Sequence, residues 1–272
     1  MAITLSTIIE TKRKEVEQAK VDMPLDELKR VIDASLAPRN FFGAVVNGHT
    51  KSSTSVIAEV KRKSPSAGVI CKDFDPVTIA KAYEKAGAVA ISCLTDVEFF
   101  GGNLVFIKEI KAAVSIPVLR KDFIIDDYQI WESRAAGADA VLFIAEALSE
   151  GQLVDYLILS QSLGMTALVE SHDMGNLLTA QQYAKFPHAG YNLLGINNRN
   201  LGTMETDLNH TMRMIDVVED CSVVVSESGI KTSEDLDKLR RHGIHIVLVG
   251  ESLMREEDPG QALATLIRMN PS

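Results

Sequence analysis

The chain has 272 residues, of which 46% are hydrophobic and 24% are charged, so it has ample apolar material for a core and is not globally disordered. No run approaches the roughly 20 consecutive apolar residues of a membrane-spanning helix, so we expect no membrane association. The net charge of -9 argues against nucleic acid as a partner, although a small anionic ligand could still bind in a local basic pocket.

The cysteines and the N-terminal segment indicate the compartment. Cys71, Cys93 and Cys221 form an odd, widely spaced set, which favours reduced thiols over a disulfide framework. Charged residues follow the first short apolar segment at once, so no secretory signal is predicted. We therefore expect a cytoplasmic protein, and we expect it to be a monomer or a weak homo-oligomer.

The N-terminal segment, about residues 1–54, has the spacing of amphipathic helices. Leu5, Ile8 and Val16 fall near one face, and Thr7 and Glu10 are spaced as a capping box. A second apolar stretch lies between residues 25 and 36, and an Ala-Pro-Arg-Asn segment interrupts it from residue 37. The segment is too small to form its own core, so we predict a helical extension of a larger domain.

From residue 55 onward, short β-branched runs alternate with stretches of helical spacing, which are clearest over 77–85, 104–114, 129–136, 153–163 and 234–241. This alternation is typical of βα units around a parallel sheet. Eight units match a closed (β/α)8 TIM barrel of the α/β class. The eight runs begin at Ser55, Ala88, Pro117, Ala140, Ala167, Leu193, Ser222 and Ile244.

An open, doubly wound sheet is the alternative architecture. It would need a glycine-rich phosphate loop after the first strand, whereas the segment there reads Lys-Arg-Lys-Ser-Pro-Ser-Ala-Gly. We therefore predict one barrel domain over residues 1–272, in which the extension of about 1–54 covers the barrel mouth.

Polar side chains follow the apolar bodies of most predicted strands. Catalytic residues of a barrel come from these carboxyl ends, and alternation along the strands places Glu59, Lys61 and Lys121 on the inward face. Opposite charges that converge in a buried site perturb one another's pKa and mark functional sites more often than structural ones. The later strands end with Glu170, with Asn197 and Arg199, and with Glu227.

Two loops that commonly hold phosphate in this fold contain small residues here. They follow the seventh and eighth strands and include Ser228, Gly229 and Gly250, where backbone N–H groups can approach an anion. The basic loop 61–68 suits the same ligand. The six histidines lack metal-ligand spacing, so we predict no metal site and interpret each histidine as a surface residue. His172, two positions after Glu170, is the one that could instead touch the rim of the mouth.

These residues indicate an enzyme that uses lysine and glutamate as acid and base on a phosphorylated carbonyl compound. A lysine in such a barrel could instead form a Schiff base, as in aldolases. A non-catalytic phosphate-binding barrel is a third possibility. Composition and spacing do not separate the three.

Seven ordered motifs resemble the indole-3-glycerol phosphate synthase family. They lie at 57–66, 94–102, 117–123, 168–170, 195–199, 226–230 and 248–255, and the first reads Ile-Ala-Glu-Val-Lys-Arg-Lys-Ser-Pro-Ser. The resemblance implies a TIM barrel with an N-terminal helical extension. It also implies a carboxy-lyase of tryptophan biosynthesis that needs no cofactor or metal. Its substrate would be 1-(2-carboxyphenylamino)-1-deoxyribulose 5-phosphate, whose indole ring is closed with loss of CO₂ and water.

The resemblance also implies catalytic roles. Lys121 would be the general acid that protonates the carbonyl oxygen, and Glu170 would be the acid/base of the dehydration. Lys61 would pair with the substrate carboxylate or act as a second acid. Glu59 would position the lysines and stabilise developing positive charge.

The remaining implied roles concern binding. Asn197 and Glu227 would hold sugar hydroxyls and the lysine network, and Arg199 would lie near the substrate carboxylate. An apolar slot for the aromatic ring would be formed by Phe100, Phe123 and Leu142. The phosphate would be held by Ser64, Ser228, Gly229, Gly250 and Glu251.

Overall fold

The computed structural model describes residues 4–50, 53–184, 192–200 and 205–268. Eight parallel strands in this part of the chain close into a barrel, which confirms the predicted (β/α)8 TIM barrel and excludes the open sheet. Each strand begins within two residues of its predicted start. The barrel strands are β1 (Ser55–Val60), β4 (Ala90–Leu94), β5 (Val118–Lys121), β6 (Ala140–Ile144), β7 (Thr166–Ser171), β8 (Asn192–Asn197), β9 (Val224–Glu227) and β10 (Ile246–Val249).

The strands pair in the order β1-β10-β9-β8-β7-β6-β5-β4, and β4 pairs with β1 to close the ring. A short hairpin, β2 (Lys63–Ser64) and β3 (Gly68–Val69), lies in the loop after β1. The connecting helices are α4 (Pro76–Ala86), α5 (Val105–Ala113), α6 (Asp127–Ala135), α7 (Glu150–Ser162), α8 (Met174–Ala184), α9 (Asn209–Met214), α10 (Ser233–Arg241), α11 (Glu251–Met254) and α12 (Pro259–Ile267). None of the helices in the described ranges is long and apolar enough to cross a bilayer.

Alternation along each strand divides the apolar residues into two cores. On β1, Ile57 packs inside the barrel with Leu119 and Leu248, whereas Val56 and Ala58 belong to the layer between strands and helices. The outer layer is the larger one, because both the helices and the strands bury a face there. The inner core ends at the carboxyl ends of the strands, where the inward-facing side chains are charged rather than apolar.

The first helix starts earlier than its sequence predicts. The hydroxyl of Thr4 accepts a hydrogen bond from the backbone N–H of Thr7, so Thr4 is the N-cap and the capping box predicted at Thr7 and Glu10 is wrong. The Thr4 hydroxyl satisfies the N–H group of Thr7, which the first turn of the helix leaves without an intrahelical partner. The extension contains the helices α1 (Leu5–Asp22), α2 (Leu25–Asp33) and α3 (Phe41–Val46).

The extension packs against both ends of the barrel, whereas the sequence analysis placed it over the mouth alone. Leu5 and Ile8 of α1 line the cavity at the carboxyl ends of the strands. Phe41 and Val45 of α3 are fully buried in the inner core, next to early strand residues such as Ala90. Small side chains at the amino ends of the strands leave space that α3 fills, because barrel interiors are packed rather than open.

Candidate active site

A cavity of about 730 Å³ opens at the carboxyl ends of the barrel strands. In this fold the loops after the strands converge there and supply the chemically active groups. Each residue that the sequence analysis selected as catalytic or substrate-binding lines this cavity. These residues are Glu59, Lys61, Ser64, Phe100, Lys121, Phe123, Leu142, Glu170, Asn197, Arg199, Glu227, Ser228, Gly229, Gly250 and Glu251.

The centre of the cavity is a lysine between two glutamates. Lys121 Nζ lies 2.8 Å from Oε2 of Glu170 and 2.8 Å from Oε2 of Glu227. The three side chains come from β5, β7 and β9, so only closure of the barrel brings them together. Both carboxyl groups are almost completely buried, which makes pairing with the ammonium necessary for stability.

The protonation states of this cluster differ between the two carboxyl groups. Burial opposes the charge on Lys121, but Glu170 and Glu227 outweigh it and raise the lysine pKa. Burial also opposes ionisation of Glu170, yet Lys121 and His172 hold its pKa well below the usual range. Burial, together with the nearby Glu170, raises the pKa of Glu227 to about 8 against the effect of Lys121. The surroundings therefore favour the ionised form of Glu170 and disfavour the ionised form of Glu227.

One further contact pattern agrees with a proton on Glu227. Its Oε1 atom is buried and, among the described residues, receives no hydrogen bond. An unsatisfied oxygen costs less on a neutral carboxyl group than on a carboxylate. Glu227 also lies against Gly195 of β8, where a Cβ would overlap its Oε1 atom. The glycine therefore provides the space that this side chain occupies.

A second lysine–glutamate pair lies on the β1 side of the cavity. Nζ of Lys61 lies 2.6 Å from Oε1 of Glu59, and both side chains are nearly buried. The two residues are separated by one position, so strand alternation directs both toward the interior. This pair places another ammonium group at the cavity, on the β1 side rather than beside Glu170.

Glu170 has further partners that fix its second oxygen. The Nδ2 group of Asn197 donates to Oε1 at 2.9 Å, and Nε2 of His172 lies 3.2 Å from the same atom. The prediction that His172 is a surface residue is wrong. The alternative, that His172 touches the rim, agrees with the structure: it lies just after β7 and two residues after Glu170, and alternate residues share a face.

The loop after β9 has a backbone suited to an anion. Ser228 and Gly229 both adopt positive φ, 66° and 81°, and consecutive left-handed residues occur in the backbone turns that bind anions. The amide of Asn198 donates to the Ser228 carbonyl at 3.0 Å, and the Ser252 hydroxyl donates to the Ile230 carbonyl at 2.8 Å. These bonds connect the loop to those after β8 and β10. A preorganised loop of this kind can bind phosphate.

An arginine connects three loops at the rim. Arg199 donates from Nη1 to the Ser66 hydroxyl at 2.7 Å and from Nη2 to Oε2 of Glu251 at 2.8 Å. Arg255 donates to the other Glu251 oxygen at 2.8 Å. Burial opposes ionisation of Glu251, but Arg255 and Arg199 lower its pKa. The Glu251 carboxylate is thus paired with two guanidinium groups, and its negative charge would repel a phosphate.

An apolar wall faces the charged groups. The rings of Phe100 and Phe123 are 6.0 Å apart at 38°, and Leu142 is buried beneath them in the inner core. Leu5 and Ile8 of α1 extend this wall. The sequence analysis did not assign these two residues to the site, because nothing local indicates where α1 docks.

A buried ion cluster anchors α1 behind this wall. Nζ of Lys12 lies 2.9 Å from Asp96 Oδ2 and 2.9 Å from Asp122 Oδ1, and all three side chains are almost completely inaccessible. Arg120 also contacts Asp122, at 3.1 Å. Burial opposes the charge on Lys12, but Asp122 and Asp96 raise its pKa. Because Asp122 follows Lys121, the cluster connects α1 to the strand that carries the central lysine.

In the described ranges, no three histidine, cysteine, aspartate or glutamate side chains are grouped as metal ligands. The sequence model for indole-3-glycerol phosphate synthase matches residues 5–266 of the chain.

Two solved structures are similar in fold. One is thiamine phosphate pyrophosphorylase from Pyrococcus furiosus, with 13% identity over 79% of this chain and 95% of that chain, at a TM-score of 0.57. The other is KGPDC from Streptococcus mutans, with 13% identity over 78% of this chain and 95% of that chain, at a TM-score of 0.59. At this identity they support the barrel fold alone.

Proposed function

The chain belongs to the indole-3-glycerol phosphate synthase family, and from this we propose how its cavity residues perform the reaction of that family. The family consists of carboxy-lyases of tryptophan biosynthesis. They act on 1-(2-carboxyphenylamino)-1-deoxyribulose 5-phosphate, and the products are indole-3-glycerol phosphate, CO₂ and water. The observation that supports the roles below is Lys121 held between Glu170 and Glu227 in a cavity that also contains the Lys61–Glu59 pair.

Lys121 acts as the general acid of ring closure. A carbon of the aromatic ring attacks the ribulose carbonyl carbon, the C–O double bond opens, and the ammonium of Lys121 donates a proton to the oxygen. Loss of the carboxylate as CO₂ then returns its bonding electrons to the ring. A positioned acid of this kind contributes about 10²- to 10⁴-fold to the rate.

Glu170 acts as the base of the dehydration that follows. The hydroxyl formed at the former carbonyl carbon leaves as water, for which an ammonium group supplies the proton, and Glu170 accepts the proton released as the indole double bond forms. Its ionised state beside Lys121 suits this role. Lys61 pairs with the substrate carboxylate or is the second acid, and Glu59 holds it in place.

The rest of the cavity orients the substrate. The phosphate binds to backbone groups at Ser228, Gly229 and Gly250, with Ser64 from the hairpin loop. The aromatic ring lies on the apolar wall, where exclusion of water strengthens the nearby charge interactions. Asn197 and Glu227 hold the sugar hydroxyls, and Arg199 lies near the substrate carboxylate. Of Glu251, only the backbone N–H contacts the phosphate.

The direct test is the appearance of indole fluorescence when the enzyme is mixed with the carboxyphenylamino-deoxyribulose phosphate. No signal at micromolar enzyme would refute the lyase function and favour a non-catalytic phosphate-binding barrel, which binds the substrate without turnover. Borohydride trapping of substrate on Lys121 would favour the Schiff-base aldolase alternative. The expected result is fluorescent product without a trapped adduct.

We also place the enzyme in the cytoplasm as a monomer or a weak homo-oligomer. All three cysteines are described and free, as suits a reducing compartment. Sedimentation equilibrium over a range of concentrations would test the oligomeric state. A stable, concentration-independent oligomer would contradict it.

A further inference from the structure

His172 lies beside the reacting groups rather than on the surface. Its side chain is 9% exposed, and the ring lies between two carboxyl groups. Nε2 faces Glu170 inside the cavity, and Nδ1 lies 3.2 Å from Oε2 of Glu146 on the other side. The backbone N–H of His172 also donates to Glu146 Oε1 at 2.7 Å. Glu146 belongs to the short 3-10 turn Ala145–Ala147 after β6, so a neighbouring element fixes the ring.

The contacts of the ring define its protonation state. An ionised carboxylate only accepts hydrogen bonds, whereas a neutral imidazole donates from only one of its two nitrogens. Nδ1 is hydrogen-bonded to Glu146, whereas Nε2 lies 3.2 Å from Glu170 Oε1 without hydrogen-bond geometry, so the second contact is one of charge. Carboxylates on both sides of the ring favour the form that carries two protons and a positive charge. Burial opposes this charge, but Glu146 and Glu170 outweigh it and raise the pKa of His172 to about 10.

We propose that His172 is a positioning residue for Glu170, and that Glu146 holds it in the charged form. The proposal rests on the role of Glu170 as base that is put forward above. Lys121 contacts Oε2 of Glu170, while His172 and Asn197 contact Oε1. The two cations therefore act on different oxygens of the same carboxylate.

This arrangement is useful because Lys121 loses its charge during the reaction. After Lys121 gives its proton to the substrate, Glu170 is a buried carboxylate next to a neutral amine. Burial then favours the protonated acid, which cannot act as a base. His172 keeps a positive charge 3.2 Å from the opposite oxygen and so keeps Glu170 ionised for the dehydration.

The other titratable groups near the His172 ring do not cancel its stabilisation of the Glu170 carboxylate. His210 from α9 contacts the carbonyl of His172 through Nε2 at 3.0 Å, and burial lowers its pKa, so it adds no charge at neutral pH. Asp173, next along the chain, stays ionised because hydrogen bonds from Asn176 lower its pKa. Glu170 is faced by Lys121 from β5 and by Glu227 from β9.

The test is the pH profile of kcat at saturating substrate for the wild type and for His172→Gln, which keeps a donor without the charge. We expect the midpoint of the acid-side fall in kcat to rise by about one pH unit or more, because an opposite charge at this distance shifts a carboxyl pKa by about 1–3 units. Glu146→Gln should shift it in the same direction but less. The double variant should shift it no further than His172→Gln alone.

An acid-side midpoint that stays unchanged in folded His172→Gln would overturn the proposal, as would an equal loss of kcat at every pH. Circular dichroism and thermal melting establish folding, and Glu146→Gln provides the same test if His172→Gln does not fold. His242→Gln is the matched control, since that ring is exposed at the end of α10. Normal turnover by Glu170→Gln would instead show that the proposed role of Glu170 is wrong, whatever His172 does.

Discussion

Gly250, which directly follows β10, lies so close to Glu59 of the neighbouring β1 that a Cβ at position 250 would lie 2.8 Å from the Cβ of Glu59 and overlap its Oε1 atom. The missing side chain therefore makes room for the carboxylate that pairs with Lys61. The sequence analysis assigned Gly250 to phosphate binding, and the structure adds this second reason for a glycine there.

We predict that Gly250→Ala lowers kcat at least about tenfold, because the Glu59–Lys61 pair must move and small misplacements in an active site are costly. Overpacking should also reduce the free energy of unfolding by about 1–3 kcal/mol. Steady-state kinetics and urea unfolding measure both effects. Gly151→Ala is the control, since a Cβ there meets no atom within 4 Å, and it should leave kcat unchanged.

Lys121→Met should lower kcat by about 10²- to 10⁴-fold, since it removes the general acid. It also leaves Glu170 and Glu227 without the ammonium between them, so the pKa of both carboxyl groups should rise. Single-turnover fluorescence would separate the chemical step from binding. The exposed Lys108→Met serves as the control, and near-normal turnover by Lys121→Met would rule out its role as acid.

The raised pKa of Glu227 predicts a specific dependence of stability on pH. A carboxyl pKa of about 8 in the folded state, above the ordinary value of 4.5, means that the folded state binds the extra proton. The contribution of Glu227 to stability is therefore full below about pH 4.5 and is lost as pH rises toward 8. Glu227→Gln, which cannot ionise, should lose less stability than the wild type over this range.

Urea unfolding at about pH 5.5, 7 and 8.5, which span the range between the ordinary carboxyl pKa and the raised pKa of Glu227, would measure this difference. The free energy of unfolding of Glu227→Gln should rise relative to that of the wild type as pH increases, even though the variant is less active. A stability difference that is the same at all three pH values would mean that Glu227 is ionised throughout. Exposed Glu256→Gln is a suitable control for the loss of one carboxylate.

Lys12→Met should destabilise the fold by about 3–5 kcal/mol, because it leaves the buried carboxylates of Asp96 and Asp122 without their shared cation. It should also raise KM, since α1 lines the cavity with Leu5 and Ile8. Chemical unfolding and steady-state kinetics test the two effects. Lys14→Met, exposed on the same helix, should change neither, and an unchanged stability of Lys12→Met would exclude this anchoring role.

The sequence by itself determined the barrel and the set of side chains that meet at its mouth. Strand alternation and the βα repeat are local properties, and a parallel barrel brings all carboxyl ends together whatever the detailed packing. The inward position of Glu59 follows from its distance of two residues from Ile57, without knowledge of any partner. The motifs that resemble the family lie at the same strand ends.

Only the tertiary structure decided which groups pair and in which protonation state. Lys121 and Glu227 are 106 positions apart, and no local pattern shows that they lie 2.8 Å from each other. The same holds for Lys12, which looks like any lysine on an amphipathic helix until α1 docks. The pairing of His172 with Glu146, which follows a neighbouring strand, is likewise set only by the fold. Burial and pairing arise from contacts that are distant in sequence, and these set the pKa values on which the chemistry depends.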